Sequence, residues 1–486
     1  LKVIIDRYVI QNREELYLQN IMHEMLGDPE PYNKQRYWKL IDNWKAYLTN
    51  EYGLRKGDVV GIGLVKNNVQ TTALLFALAE LGIQVFASSL SWNRDAKIDY
   101  PATTIKAEVG LWDSVAVRML ESLQRDYYDD HLPYEMIQVD SVDIENYNEP
   151  MEIEEPEVFP DDPFWITHAD GEHEDGLEFQ YYTHKECWSL AHRQFKMFNY
   201  YGGLGIHTFN SVHCMSFVNA VIPAFMGCKE HYFVNWWDRL NMWKPQMVKA
   251  LQKLYKRPEK KVIWFKNEET LERSLNGLQK SDFDGSTCQF VCPFSTPTPF
   301  LHELVEEKGI KCSLFYGETR SKSLTLFIKP IKGDYVEGSI GFILDNYYEC
   351  VYSPQKCTMF VRGHEDTAFY PLSFGVEKQP NGEYIHMGSV ERNPYQERVE
   401  EILGHEDFFL LRKYGRNYLC LFEEPEPKIM KLLDNLGLTQ IEVIDRMAFC
   451  LENSRYRDWF ALKNAFEYGF ESFEEGRVRY YDGSEK

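Results

Sequence analysis

The residues from Trp165 to His184, WITHADGEHEDGLEFQYYTH, carry the pattern in this chain that most invites a chemical reading. A short apolar strand over 164–167, ending at Thr167, runs into a turn-rich loop with Gly171 and Gly176. A second strand over 179–182 follows and ends on Thr183-His184. A glycine-bearing loop can hold an anion through its backbone N–H groups. This one also holds Asp170, Glu172, Glu174, Asp175 and Glu178, with no Lys or Arg between Phe164 and His184. Two like unit charges about 6 Å apart at an effective dielectric of about 20 repel by roughly 3 kcal/mol, so a phosphate here would meet several such penalties at once. A cation would be accepted more readily, but the spacing of His168, Asp170, His173 and Glu174 matches no standard metal site. The plain physical expectation is a solvated acidic hairpin loop.

The elements around this loop alternate in type. From Tyr32, the segment YNKQRYWKLIDNWKAYLTNEYG places Tyr37, Leu40, Ile41, Trp44 and Leu48 at helical spacing and stops at Gly53. VVGIGLVKNN reads as a buried strand, VQTTALLFALAELG as a helix ending at Gly82, and IQVFASS as the next strand; AEVGLWD, KKVIWF and QFVCPF are further buried strands. Strand, helix and strand joined by short turns predict parallel sheets with crossover helices. Residues 336–390 are rich in β-formers and turns and predict a small barrel-like β subdomain. Residues 1–20 read as an extended or partly helical lead-in, and 140–162, DSVDIENYNEPMEIEEPEVFPDD, as an exposed acidic connection.

In order and spacing these segments resemble the adenylate-forming superfamily: acyl-CoA and aryl-CoA ligases, luciferases and peptide-synthetase adenylation domains. The resemblance covers roughly residues 20–450. It implies an α/β fold, with a large domain over 1–405 and a small C-terminal α/β domain over 406–486. It also implies a nucleotide site at Thr167, Gly171, Thr183, His184, Tyr316, Gly317, Thr319, Ser389 and Asp407, with His213 at the position that borders the family's acyl pocket. The family's phosphate loop, roughly YTSGTTGxPKG, falls on the acidic loop. Its Tyr-Gly-x-Thr-Glu falls on Tyr316-Gly317-Glu318-Thr319-Arg320, so the magnesium glutamate is Arg320. Its ribose-binding Thr-Gly-Asp falls on Met387-Gly388-Ser389. Its hinge falls on GHEDFFLLRKYG, which keeps Gly404, Asp407, Lys413 and Gly415 but has His405 for the ribose-contacting Arg. No Pro-x-x-x-x-Gly-Lys element follows the hinge, and Lys463 reads as a surface lysine on an amphipathic helix.

Composition narrows the function classes. With 53 Lys+Arg against 75 Asp+Glu in 486 residues the formal charge is -22, which opposes binding to nucleic acid or to an anionic membrane surface. The first residues lack the layout of a secretory signal, and the most apolar segment is interrupted by Glu80, so neither export nor membrane insertion is expected. The ten cysteines are scattered and read as reduced, mostly buried thiols. Aromatics make up 15% of the chain, as in cores and large protein contacts.

The departures from the family fall on the nucleotide contacts and spare the scaffold. The expectation is therefore a catalytically inactive adenylate-forming fold that serves as a structural or interaction component, with protein partners, in a larger assembly. A virion such as a phage tail and a large cytosolic complex both suit the composition. ATP binding, a cofactor and a metal are not expected. The alternative is a divergent AMP-forming ligase that activates a carboxylate with ATP and draws its phosphate-binding cation from Lys185 or Arg320. A third reading keeps the acyl pocket as a small-molecule site without catalysis.

Overall fold

The computed structural model describes residues 16–21, 31–64, 66–87, 107–114, 116–117, 135–168, 179–208, 216–234, 251–265, 268–276, 278–293, 296–317, 322, 325–344, 348–353, 358–363, 369–372, 374–389, 396–404, 408–413, 416–421, 425–436, 438 and 440–443. The chain divides into two compact units: Leu1–His168 with Phe179–Pro371 and Val376–Met387, and Ala169–Glu178 with Leu372–Gly375 and Gly388–Lys486.

The first unit contains a six-stranded sheet. Its order is Glu135–Gln138, Val109–Trp112, Val59–Gly63, Gln84–Ala87, Pro163–His168 and Phe179–Thr183. All neighbours are parallel except the last pair, an antiparallel hairpin in which Pro163 faces Thr183 and His168 faces Phe179. A second sheet has eleven strands. Running inward from one edge they are Tyr32–Asn33, Tyr17–Ile21, Glu230–Val234, Leu204–His207, Lys261–Trp264, Cys288–Pro293 and Lys311–Tyr316, then Phe327–Pro330, Ser339–Ile343, Tyr384–Ser389 and Phe374–Lys378. The strands from Tyr17–Ile21 to Lys311–Tyr316 are mutually parallel. Residues 348–371 add a three-stranded antiparallel sheet, Tyr348–Ser353, Thr358–Gly363 and Tyr370–Pro371. The lead-in is thus partly strand, and its partner is Glu230–Val234, more than two hundred residues away in the chain.

The parallel strands are apolar on both faces because both faces are covered. Lys261–Trp264 sends Val262 and Trp264 into one core and Ile263 into another. The first core joins the two sheets through Val60, Ile62, Val85, Phe164 and Trp165 on one side and Phe233, Val262, Trp264, Val291 and Phe315 on the other. Helices Lys34–Tyr52, Val69–Glu80, His184–Phe198 and the turn of π-helix plus helix over 217–227 contribute many of the other side chains. Aromatic contacts knit them together: Tyr37 stacks on Phe225 at 5.5 Å, Phe76 meets Phe217 at 5.0 Å, and Phe217 lies parallel to Trp165 at 6.1 Å. Gly205 permits the close approach of helix to strand, since a Cβ there would lie 2.9 Å from that of Ala224.

The helices begin and end where side-chain chemistry dictates. Asn33 accepts from Arg36 N–H and caps Lys34–Tyr52, which stops at Gly53 with a left-handed φ of 67°. Asn68 caps Val69–Glu80 in the same way. Glu80, the charge in the most apolar segment, is buried and receives Lys45 Nζ at 2.7 Å; the same ammonium reaches Asp42 at 2.8 Å and Glu155 at 3.1 Å.

Most side chains of the acidic connection are exposed, yet its course is fixed by contacts with helix Lys34–Tyr52 and the turn after it. Ile144 O accepts from Asn43 at 2.7 Å, and Glu145 accepts from Arg36 at 2.6 Å and from the Tyr32 hydroxyl. Pro150 O accepts from Asn50 at 2.9 Å, and Glu152 N–H donates to the same asparagine at 3.0 Å. Lys56 Nζ donates to Glu157 O at 2.8 Å and pairs with Asp162 at 2.7 Å.

The second unit contains the small α/β domain. Phe408–Lys413 and Arg416–Leu421 form an antiparallel pair, and Gln440–Val443 joins the latter in parallel. Helices Gln396–Leu403 and Pro427–Asp434 supply Val399 and Leu433 to a core with Leu419, Leu421 and Leu436.

Candidate functional site

The acidic loop over 169–178 lies outside the described residues, as do Gly171, His213, Thr319, Arg320, His405, Asp407 and Lys463. The flanking residues do show what becomes of the frame. The hairpin puts the loop at its His168/Phe179 end and Thr183 at the other, some five residues away, or roughly 15 Å along a strand. Thr167, half-buried, faces Gln180 within the hairpin.

Thr183 serves as a helix cap. Its hydroxyl accepts from Glu186 N–H at 3.2 Å, while Glu186 Oε2 accepts from Thr183 N–H at 2.7 Å. This is a capping box, and it fixes the start of His184–Phe198. The next two N–H groups are also engaged: His184 N–H donates to Asp162 O at 3.0 Å and Lys185 N–H to Pro160 O at 2.8 Å, both from the end of the acidic connection. His184 is fully buried, its ring 4.9 Å from that of Phe164, and burial depresses its pKa to about 3, so the imidazole is neutral.

Lys322, just beyond the Tyr316-Gly317 corner, meets this helix start. Its Nζ donates to Glu186 Oε1 at 2.7 Å and lies 5.4 Å from the centre of the Tyr182 ring. Deeper in, Arg193 from the same helix donates to the Thr325 hydroxyl at 3.2 Å. The helix that starts at Thr183-His184 thus meets Lys322 and Thr325, which follow Tyr316-Gly317 in the chain, through Glu186 and Arg193. The capping box was readable as T-x-x-E in THKE; nothing in the sequence joins Lys322 to it.

Tyr316 ends its strand half-buried, its ring 5.2 Å from that of His386 at 60°. Ser389 closes the strand Tyr384–Ser389, and Gly317 directly follows the strand Lys311–Tyr316. Among the described residues no group of three or more His, Cys, Asp or Glu could hold a metal ion, and no helix is long and apolar enough to cross a membrane. Cys187, Cys288, Cys292 and Cys312 are buried free thiols; Cys228 is buried and Cys350 half-buried.

This architecture is that of the AMP-forming acyl-CoA synthetases. A fatty acyl CoA synthetase of Mycobacterium tuberculosis superposes with a TM-score of 0.59 over 89% of this chain and 91% of its own, at 12% identity. The O-succinylbenzoate coenzyme A synthetase of Bacillus subtilis gives 0.58 over 90% and 93%, at 14% identity. ATP-bound MatB from Rhodopseudomonas palustris gives 0.57 over the same shares, at 14% identity. At such identities the likeness establishes the fold alone. No protein-family model matches the sequence, and no curated protein matches it.

Proposed function

We propose that this chain is a catalytically inactive adenylate-forming fold that works as a structural or interaction component of a larger assembly, such as a virion or a large cytosolic complex. The observation that carries this reading is the state of the helix start after the acidic loop. A helix N-terminus attracts phosphate when its first N–H groups and a nearby cation are available. Here the N–H groups of His184, Lys185 and Glu186 are spent on Asp162 O, Pro160 O and Thr183 Oγ1, His184 is buried and neutral, and Lys322 is paired with Glu186. These engaged groups support a helix start that does not hold the phosphates of a nucleoside triphosphate. The carboxylates of the loop and the replacement of the ribose-binding Asp by Ser389 and of the hinge Arg by His405 point the same way.

The divergent-ligase reading is favoured by one fact, the ATP-bound state of a structural neighbour. Adenylation needs the developing phosphoryl charge met by cations and the nucleotide held in place. We therefore expect no change in melting temperature with ATP and magnesium, where binding at a hundredfold the dissociation constant would add about 2.7 kcal/mol. Carboxylate-dependent pyrophosphate exchange with fatty, aryl and amino acids should stay at the level of a boiled control, in the native protein and in Ser389→Asp. Exchange that depends on one acid would establish the ligase instead.

A further inference from the structure

The turn Gln379-Pro380-Asn381-Gly382-Glu383 joins the strands Phe374–Lys378 and Tyr384–Ser389, which are neighbours in the eleven-stranded sheet. An Asn-Gly pair suits a tight hairpin turn because glycine takes positive φ without strain, and Gly382 has a φ of 88°. The same pair carries a reaction of its own. The backbone nitrogen that follows an asparagine can attack the side-chain amide carbon, and a glycine there leaves that nitrogen unshielded. Asn381 is exposed, so solvent reaches its amide. Its Oδ1 accepts from Glu383 N–H at 3.0 Å, a donor that polarises the carbonyl and stabilises the oxyanion formed on attack. The nucleophile, by contrast, is guarded: Gly382 N–H donates to Gln379 O at 2.9 Å, and Gln379 N–H to Glu383 O at 2.7 Å. Glu383 is itself anchored. It is 8% exposed, and its carboxylate accepts from Lys329 Nζ at 2.7 Å and Ser339 Oγ at 2.8 Å, on two further strands.

We propose that Asn381 is a site of spontaneous deamidation, in which the hydrogen bonds of the turn prime the side-chain amide and gate the attacking nitrogen of Gly382. Once Gly382 N–H leaves Gln379 O, solvent base removes its proton and the nitrogen bonds to Asn381 Cγ. The Cγ–Nδ2 bond breaks, ammonia departs with a proton supplied by solvent, and a cyclic imide remains. Water then opens the imide at either carbonyl and leaves aspartate or isoaspartate. The net change is asparagine plus water to acid plus ammonia, with no oxidation. Aspartate can go on accepting from Glu383 N–H. Isoaspartate adds a methylene to the main chain inside the turn, so the bonds from Gln379 to Gly382 and Glu383 can no longer both close, and Glu383 is pulled from Lys329 and Ser339. The chemistry needs neither nucleotide nor partner.

The full chain is aged in warm, mildly alkaline buffer, either folded or unfolded in guanidinium chloride. The tryptic peptide over 379–392, in which Asn381 is the only asparagine, is followed by mass and retention, which separate the amide, aspartyl and isoaspartyl forms. Asn381 should convert about fivefold more slowly in the folded chain than in the unfolded one, the protection that a single turn hydrogen bond gives, with isoaspartate among the products. Equal rates in the two states, or no conversion in the folded chain when the unfolded one is exhausted, overturn the gated site. The aged protein should melt lower than the fresh one, while fresh Asn381→Asp should melt as the native protein does. A melting temperature of Asn381→Asp as low as that of the aged protein would assign the loss to charge and overturn the role of isoaspartate. Asn381→Gln, whose longer amide closes an imide far more slowly, should keep its own fresh melting temperature through the same ageing. A fall equal to that of the native protein would place the loss elsewhere and overturn the link to Glu383.

Discussion

Lys45→Met is expected to destabilise the first unit by about 3–5 kcal/mol, because it leaves the Glu80 carboxylate buried without its ammonium. Glu80 is 1% exposed on the inner side of helix Val69–Glu80, and Lys45 Nζ at 2.7 Å is its cationic partner. Burial alone would lower the lysine's pKa, but the carboxylates of Glu80 and Asp42 more than reverse this and hold it raised and charged. The pair is asymmetric in a way that measurement can resolve. Glu80→Gln leaves Lys45 with Asp42 at 2.8 Å and Glu155 at 3.1 Å, both reaching toward solvent, so its cost should be markedly smaller. The double variant Lys45→Met/Glu80→Leu removes both charges and should recover much of the loss, as replacement of buried pairs by apolar residues commonly does. Urea midpoints of the four proteins test this. Additive losses in the double variant would mean that the two charges do not depend on each other.

The second large effect is a loss of stability in mild acid. His184 and His207 are buried, and desolvation depresses both to about 3. In the unfolded chain each titrates near 6.5. Between these values the unfolded state binds protons that the folded state refuses, so stability is full above about pH 6.5 and falls as the pH drops through that value toward 3. Each histidine contributes a slope of about 1.4 kcal/mol per pH unit, and together they remove on the order of 5 kcal/mol between pH 6.5 and 4.5. The lowered carboxylates, among them Glu145, Glu230 and Glu259, add their losses below that window. His207→Phe keeps a ring beside Phe233, now 4.8 Å from the imidazole, and should flatten the urea-midpoint profile above pH 4.5 by about half. A profile identical to that of the native protein would show that His207 takes up its proton while folded.

The fold was legible where local chemistry decides it. The apolar stripe from Tyr37 to Leu48, the stop at Gly53 and the unbroken apolar strands all follow from periodicity and turn residues, and the structure realises them. Tyr17–Ile21 was not legible as a strand with a partner: it is five residues long, and Glu230–Val234 lies far along the chain. Legibility of the site divides in the same way. Tyr316-Gly317 and Thr183-His184 are proposed from motif alone. The pairing of Lys322 with Glu186, and the use of Pro160 and Asp162 carbonyls to close the helix start, depend on chain segments meeting in space. Glu80 read as an interruption of an apolar run, because only the fold brings Lys45 to it.

The path of the acidic connection bears on how this chain can be engineered. By composition, residues 140–162 are an inviting place for a tag, a protease site or an inserted domain: they are exposed, rich in glutamate and interrupted by proline. Backbone hydrogen bonding argues otherwise. The carbonyls of Ile144, Pro150, Glu157, Pro160 and Asp162 are all held by donors elsewhere in the unit. The last two of these also close the helix that begins at His184, so extra residues spliced in ahead of them would pull on that helix as well as on Lys34–Tyr52. The segment functions as a splint across two helices, and a payload belongs elsewhere.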